Sequence, residues 1–249
     1  QDVGQHVLPG DGPGALAAGA RGQHGVEIDD KTFDDVVFYQ ATLAPPARRD
    51  ASDAQVLRAM GAVDRHRFVD GALLAQAYED TALPIGLGQT ISKPSVVARM
   101  VELLMQGGLR GPDGKLGRVL DIGTGCGYQA VVLGQLASEV YSIERLRDLH
   151  EKARANLRPL RIANVHLILG DGMAGFAKGA PYAGIIAAAG GEAVPDAWIE
   201  QLAYGGRLVA PIATAAGQQA LVVIDRSRQG IQQTILETVN FVPLKSGVA

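Results

Sequence analysis

The sequence has a single cysteine, Cys126, so it holds no partner for an internal disulfide and no Cys-rich zinc site. Its histidines, His6, His24, His66, His150 and His166, show no H-x-H or H-x-x-x-H spacing, and no metal is expected. Neither sign of charge is in excess: 23 Lys and Arg stand against 26 Asp and Glu, for a net charge of −3 and a pI near 6.0. That balance carries no footprint for nucleic acid or for an anionic membrane. No apolar run approaches the ~20 residues that span a bilayer. The lone cysteine and the lack of a visible targeting segment point to the cytoplasm. What is present is ordinary globular composition, 249 residues with 47% hydrophobic and 20% charged, enough for one good-sized domain and incompatible with wholesale disorder.

Along the chain, the first 25 residues hold seven Gly and two Pro with almost no large apolar side chain. Such a stretch buries too little surface to offset the entropy of ordering it. Residues 1–50 therefore read as a mobile or loosely packed arm, with Phe33–Tyr39 as a short helix before Pro45-Pro46. Residues 51–249 read as a single domain, with a helical part over 51–110 and a sheet over 118–249. Ser52 is a plausible cap for a helix carrying Val56, Leu57, Met60 and Val63. A second helix is expected over Val69–Ala77, a loop over Leu83–Ser92, and a helix starting at Pro94 and ending near Gly107.

From Arg118 strands and helices alternate. Strands are expected over Arg118–Ile122, Glu139–Ile143, Val165–Leu169, Tyr182–Ala188 and Arg207–Ala210, and helices over Tyr128–Ala137, Leu146–Leu157 and Pro195–Leu202. Strands that are apolar throughout and separated by helices imply a parallel sheet covered on both faces. Ala220–Asp225 and Thr234–Val242 have no helix between them, so the sheet should end in an antiparallel hairpin.

The strongest local signal is Asp121-Ile-Gly-Thr-Gly-Cys-Gly-Tyr128, a strand running through alternate glycines Gly123, Gly125 and Gly127 into a helix. Glycines there let the backbone turn sharply and approach a ligand, and the helix start offers free N–H groups. A dinucleotide fingerprint, G-x-G-x-x-G, needs a glycine at 128, where Tyr128 stands. Asp121-x-Gly123-x-Gly125-x-Gly127, with Thr124 inside it, is instead the usual pattern of enzymes that use S-adenosyl-L-methionine (SAM). Glu144, 21 residues after Gly123, is placed to accept from ribose hydroxyls, which either ligand class would use. Asp171, in Gly170-Asp171-Gly172 after the third strand, is placed to accept from an adenine amino group.

The methyl acceptor leaves fainter marks. Ala187–Glu192 lacks the Asn/Asp-Pro-Pro-Tyr/Phe turn of amino-group methylation of bases, and no acidic metal-ligand cluster of the catechol type is visible. His150 falls mid-helix and His166 within a strand, neither placed as a general base. A carboxylate acceptor needs no base, because it is already ionised at neutral pH. It needs alignment and exclusion of water.

The runs Ala77–Asp80, Leu83-Pro-Ile-Gly-Leu-Gly-Gln-Thr-Ile-Ser-Lys-Pro94, Val119–Gln129, Val140–Glu144, Gly170–Gly172, Ala180–Tyr182, Gly205–Val209 and Phe241–Leu244, in this order, closely resemble the protein-L-isoaspartate (D-aspartate) O-methyltransferase family over about residues 52–245. The resemblance implies an α/β Rossmann-like class I SAM-dependent methyltransferase fold. It implies methyl transfer from SAM to the free carboxylate of L-isoaspartyl, or D-aspartyl, residues in damaged proteins and peptides, followed by closure to a succinimide. It implies Ser92 as the active-site residue that holds or aligns the acceptor carboxylate, Thr90 and Ile91 along the SAM pocket, and Gly123, Gly125, Glu144, Asp171 and Gly172 as cofactor contacts. It further implies a grip on the substrate main chain near Val242. The chain departs from the family at Leu87, where a polar residue is usual, at Gly190-Gly191, where an Ala-Pro turn is usual, after Pro211-Ile212, where Ala213 replaces the usual glycine, and at Asn240, where Arg is common. These bear on acceptor preference more than on SAM. Spacing alone leaves Ser92 equally readable as a cap for the helix at Pro94. The alternatives are a methyltransferase for a normal Asp carboxylate in a dedicated peptide or protein, or a catalytically silent SAM-binding module. A monomer is expected, with isoaspartyl proteins and peptides as partners.

Overall fold

The computed structural model describes residues 53–214 and 217–249. The arm at 1–50, the helix expected at 33–39 and the cap expected at Ser52 lie outside the described residues. In chain order the elements are α1 (Ala54–Gly61), β1 (Leu83–Gly86), β2 (Gln89–Ile91), α2 (Pro94–Gln106), β3 (Leu116–Ile122), α3 (Tyr128–Leu136), β4 (Ala137–Glu144), α4 (Arg147–Leu157), β5 (Val165–Leu169), β6 (Tyr182–Ala187), α5 (Asp196–Gln201), β7 (Leu202–Ala213), β8 (Gln219–Ser227) and β9 (Gly230–Val239).

The larger sheet runs β5-β4-β3-β6-β7-β8-β9. β3 through β7 are mutually parallel where they pair, and β7, β8 and β9 are antiparallel neighbours. Alternation of side chains sorts each strand between two layers. Val119, Ile186, Val209 and Val223 join one buried cluster with α1, α2 and α3 residues such as Met60, Leu104 and Val132. Their neighbours Leu120, Ile185, Leu208 and Val222 join the other cluster, around Trp198 and Tyr182. α3 is buried nearly all round, which is why it is apolar without a polar face. The chain leaves β3 for β4 on one side, while β6 lies on the other, so the sheet changes direction at β3. In such sheets ligands sit beyond the carboxyl ends of the strands at that point.

Three expectations are corrected. Helix α1 is capped by Asp53, whose carboxylate accepts from Gln55 N at 2.7 Å and Val56 N at 3.2 Å. In place of the helix expected over 69–77 there is only a short 3₁₀ turn, Gly71–Gln76, which follows another at Arg65–Phe68. The turn at Gly71–Gln76 buries no side chain, so nothing amphipathic supports a longer helix. The loop expected over 83–92 is the antiparallel hairpin β1–β2, in register Leu83↔Ile91 and Gly86↔Gln89. Leu83, Ile85 and Ile91 point into the core and hold it there, and Pro84 and the glycines disguise that alternation.

Candidate active site

The wall of the site begins with the glycine loop. Gly123, Gly125 and Gly127 all take positive φ, at 90°, 56° and 94°. A side chain at Gly127 would in addition put its Cβ 2.5 Å from Leu157 Cδ1. Beneath the loop, Asp121 has no exposed surface and accepts from Gln129 Nε2 at 2.8 Å and Ser142 Oγ at 2.7 Å. Ser142 Oγ also meets Thr124 Oγ1 at 2.7 Å. Burial pushes the Asp121 carboxyl up to about 6, against those two hydrogen bonds and with a smaller push from Glu144. Asp121 is thus a brace under the loop, joining β3, β4 and α3.

Glu144 ends β4 and is almost wholly buried. One carboxylate oxygen accepts from Arg145 N and Leu146 N, each at 2.9 Å, and the other from Gly125 N at 2.9 Å. The carboxylate therefore locks the loop to the start of α4. An ionised carboxylate offers about four acceptor positions, so capacity remains for a hydroxyl donor from the cavity side.

The hairpin supplies the opposite wall. Arg65 is 1% exposed, lies 5.0 Å from the centre of the Tyr128 ring, and donates from Nε to Ala77 O at 2.7 Å and from Nη2 to Ser92 O at 2.8 Å. Lys152 of α4 donates to Ile85 O at 3.0 Å and to Asp70 Oδ1 at 2.9 Å. Ser92 is not the cap of α2. Lys93 holds that position without a side-chain bond, while Asp80 accepts from Ser95 N at 2.8 Å and Ser95 Oγ at 2.7 Å.

These walls enclose a cavity of about 300 Å³ at the carboxyl ends of β3 and β4. Thr90, Ile91, Ser92, Gly123, Thr124, Gly125, Glu144, Gly172 and Val242 line it. Asp121, Gly127 and Asp171 are outside the lining. The Asp171 carboxylate accepts from Met173 N at 2.9 Å and Gly247 N at 2.8 Å. The backbone around Val242 is held by Gly190, whose N–H donates to Val242 O at 2.9 Å and whose carbonyl accepts from Leu244 N at 2.8 Å. Gly190 leaves room for the Gln219 side chain, since a Cβ there would lie 2.5 Å from Gln219 Nε2. Cys126 lines the cavity, but burial pushes its thiol up, so it remains protonated. No histidine is among the described residues that line it. His166 pairs with Glu139 at the surface, and His66 Nδ1 meets the Tyr78 hydroxyl at 2.6 Å. Among the described residues no His, Cys, Asp and Glu cluster is arranged to hold a metal.

The sequence profile of the protein-L-isoaspartate (D-aspartate) O-methyltransferase family matches residues 46–249. The chain belongs to this family. A protein-L-isoaspartate O-methyltransferase of Methylibium petroleiphilum is 62% identical over 197 residues, 78% of this chain and 72% of that one. Another, of Leptothrix cholodnii, is 59% identical over 214 residues, 85% of this chain and 75% of that one. A solved protein-L-isoaspartate O-methyltransferase superposes at a TM-score of 0.70 with 25% identity, over 86% of this chain and 66% of that one. A second, from Plasmodium falciparum in complex with S-adenosyl-L-homocysteine, gives 0.66 with 26% identity, over 78% and 91%. The fold is thus the Rossmann-like fold of SAM-dependent methyltransferases. A short match over residues 11–68 is to the di-haem oxidoreductase family, but that segment contains no cysteine and so lacks the Cys-x-x-Cys-His by which c-type haem is attached.

The cavity suits the family's cofactor. A buried carboxylate at Glu144 faces it from one strand end, glycine backbone forms its floor, and Ile122, Ile143 and Leu149 give it apolar sides. Sequence reasoning missed Arg65 and Lys152. Their partners are mostly backbone carbonyls, which leave no side-chain pattern to read.

Proposed function

We propose that this chain transfers a methyl group from SAM to the free carboxylate of L-isoaspartyl, or D-aspartyl, residues in proteins and peptides, beginning their repair through a succinimide. The observation that carries the reading is the meeting of Thr90-Ile91-Ser92 with Gly123–Gly125 and Glu144 on one cavity. When bound, SAM supplies a methyl group activated by its sulfonium. Glu144 and the backbone of the glycine loop and Gly172 hold it, and Asp171 positions that stretch of backbone through its own hydrogen bonds. The acceptor is anionic at neutral pH, so the chain need only bind it, aim it and exclude water. The Ser92 hydroxyl holds the acceptor carboxylate, and Arg65 fixes the Ser92 main chain. Arg145 and Lys245, both on the lining, favour an anionic acceptor, and the Val242 backbone offers a side-chain-independent grip. The enzyme acts as a monomer in the cytoplasm on protein substrates, not on nucleic acid or lipid. Its near-neutral net charge of −3 and single buried thiol support this.

The test is transfer of labelled methyl from SAM to two peptides identical except for an isoaspartyl or a normal aspartyl linkage. Only the isoaspartyl peptide should be labelled. Ser92→Ala should lower kcat/KM by about 10²-fold, within the range for a positioning hydrogen bond to a reacting group, while calorimetric SAM affinity stays within about twofold. Labelling of the normal peptide, or an S92A enzyme as active as the parent, would sink the assignment.

A further inference from the structure

At the tip of the β1–β2 hairpin the chain makes two unfavourable choices at one residue. Leu87 takes φ 54°, and Gly88 after it takes φ 69°. With Gly86 paired to Gln89, these are the two central residues of a hairpin turn that needs left-handed backbone at both. Asn, Asp and Gly fill the first of those positions at little cost, while a branched apolar side chain is strained there. Leu87 is also 56% exposed, so its side chain is not placed there to fill the core. Yet it lies on the lining of the cavity, on the same hairpin that carries Thr90, Ile91 and Ser92. Strain combined with exposed apolar surface at a cavity rim serves contact with something that arrives later.

We propose that Leu87 is a specificity-determining residue that packs on the side chain preceding the isoaspartyl residue in the acceptor; this rests on the repair reading above. The side follows from chemistry. An isoaspartyl link forms when the backbone nitrogen of the following residue attacks the side-chain carbonyl of Asp or Asn, expelling water or ammonia to close a succinimide that water then opens at the α-carbonyl, and glycine in that following position hinders the attack least. The residue after the damage therefore carries little side chain to read, and the residue before it is free to vary. An apolar contact at the rim favours acceptors in which that preceding residue is large and apolar. The rim cations Arg145 and Lys245 remain for the carboxylate.

The experiment compares two isoaspartyl peptides that differ only in the preceding residue, Leu or Gly, each followed by Gly. With the parent enzyme kcat/KM should favour the Leu peptide by roughly fivefold, the size of a half-exposed apolar contact. In Leu87→Asn that ratio should collapse to about one, and in Leu87→Met it should persist. Asn relieves the turn, so the Asn variant should melt no lower than the parent, which excludes misfolding as the reason for the collapse. A parent enzyme with no preference, or a preference that survives Leu87→Asn, would overturn the role of Leu87 while leaving the repair reading intact. Failure of the parent to label either peptide would overturn both.

Discussion

Asp121 sits with no solvent-exposed surface between the Gln129 amide and the Ser142 hydroxyl. Its carboxyl is pushed from 3.8 to about 6, mainly by burial. Because the folded value lies above the unfolded one, the native state holds the proton more tightly. The share of stability this confers is complete below the unfolded value and is lost as pH rises through the folded one. A rise of that size corresponds to roughly 3 kcal/mol. Asp121→Asn keeps the shape without the charge: its carbonyl still accepts from Gln129, and its amide donates if the Ser142–Thr124 hydroxyl pair reverses. In urea titrations the stability of D121N relative to the parent should improve by up to roughly 3 kcal/mol between about pH 4 and pH 7, whatever its offset at the acid end. A difference that stays flat across that range would show that Asp121 ionises freely in the folded protein. In the sequence Asp121 is visible as part of D-x-G-x-G-x-G, but that pattern does not tell a brace from a ligand contact. The distinction lies in which residues surround it, and Gln129 and Ser142 come from different elements.

The hairpin is the element on which the site depends and the one least legible beforehand. Its inward residues Leu83, Ile85 and Ile91 are broken up by Pro84 and two glycines, and its turn carries Leu87 where Asn-Gly would have announced it. The long helices and the β3–β6 strands were legible because periodicity and two-faced burial write directly into composition. The sequence pattern marks β7 only over 207–210, since Gly205-Gly206 interrupts an apolar run that the structure extends back to Leu202. The hairpin is fastened by backbone-directed cations, Arg65 at Ser92 and Lys152 at Ile85. Lys152 is 29% exposed, so its ion pair with Asp70 contributes little to global stability, about 1 kcal/mol or less. Its effect is local. In Lys152→Met, amide exchange at Thr90 and Ile91 should speed up by about fivefold or more while α2 and β3 exchange at parental rates. Uniform acceleration would mean that Lys152 supports the whole domain instead.

Across the whole molecule the site is assembled from seven stretches separated in sequence, from 85–92 to 242–245, all brought to the carboxyl ends of β3 and β4 by the change of direction in the sheet. The parallel sheet with its antiparallel end follows from the alternating pattern, but the path of the last residues does not, because they pair with no strand of the sheet. They bond instead to loops. Leu244 N donates to Gly190 O, Gly247 N to the Asp171 carboxylate, Arg145 Nε to Gly247 O, Ala249 N to Arg145 O and Arg147 N to Ala249 O, at 2.8, 2.8, 3.1, 2.9 and 2.8 Å. One short segment thus ties the ends of β4, β5 and β6 together along the cavity wall. It adds no member to the Trp198 cluster beyond Leu244, so the fold should survive without the stretch after that residue. A chain ending at Leu244 should therefore melt as one cooperative unit but bind S-adenosyl-L-homocysteine about 10-fold more weakly. At a fixed saturating ligand concentration that is about 1.4 kcal/mol less ligand-linked stabilisation. Equal thermal shifts for the full and shortened chains would mean that the segment lies along the cavity without helping to hold what binds there. A smaller shift, together with faster exchange at Met173, whose N–H shares the Asp171 carboxylate with Gly247, would tie the loss to that carboxylate.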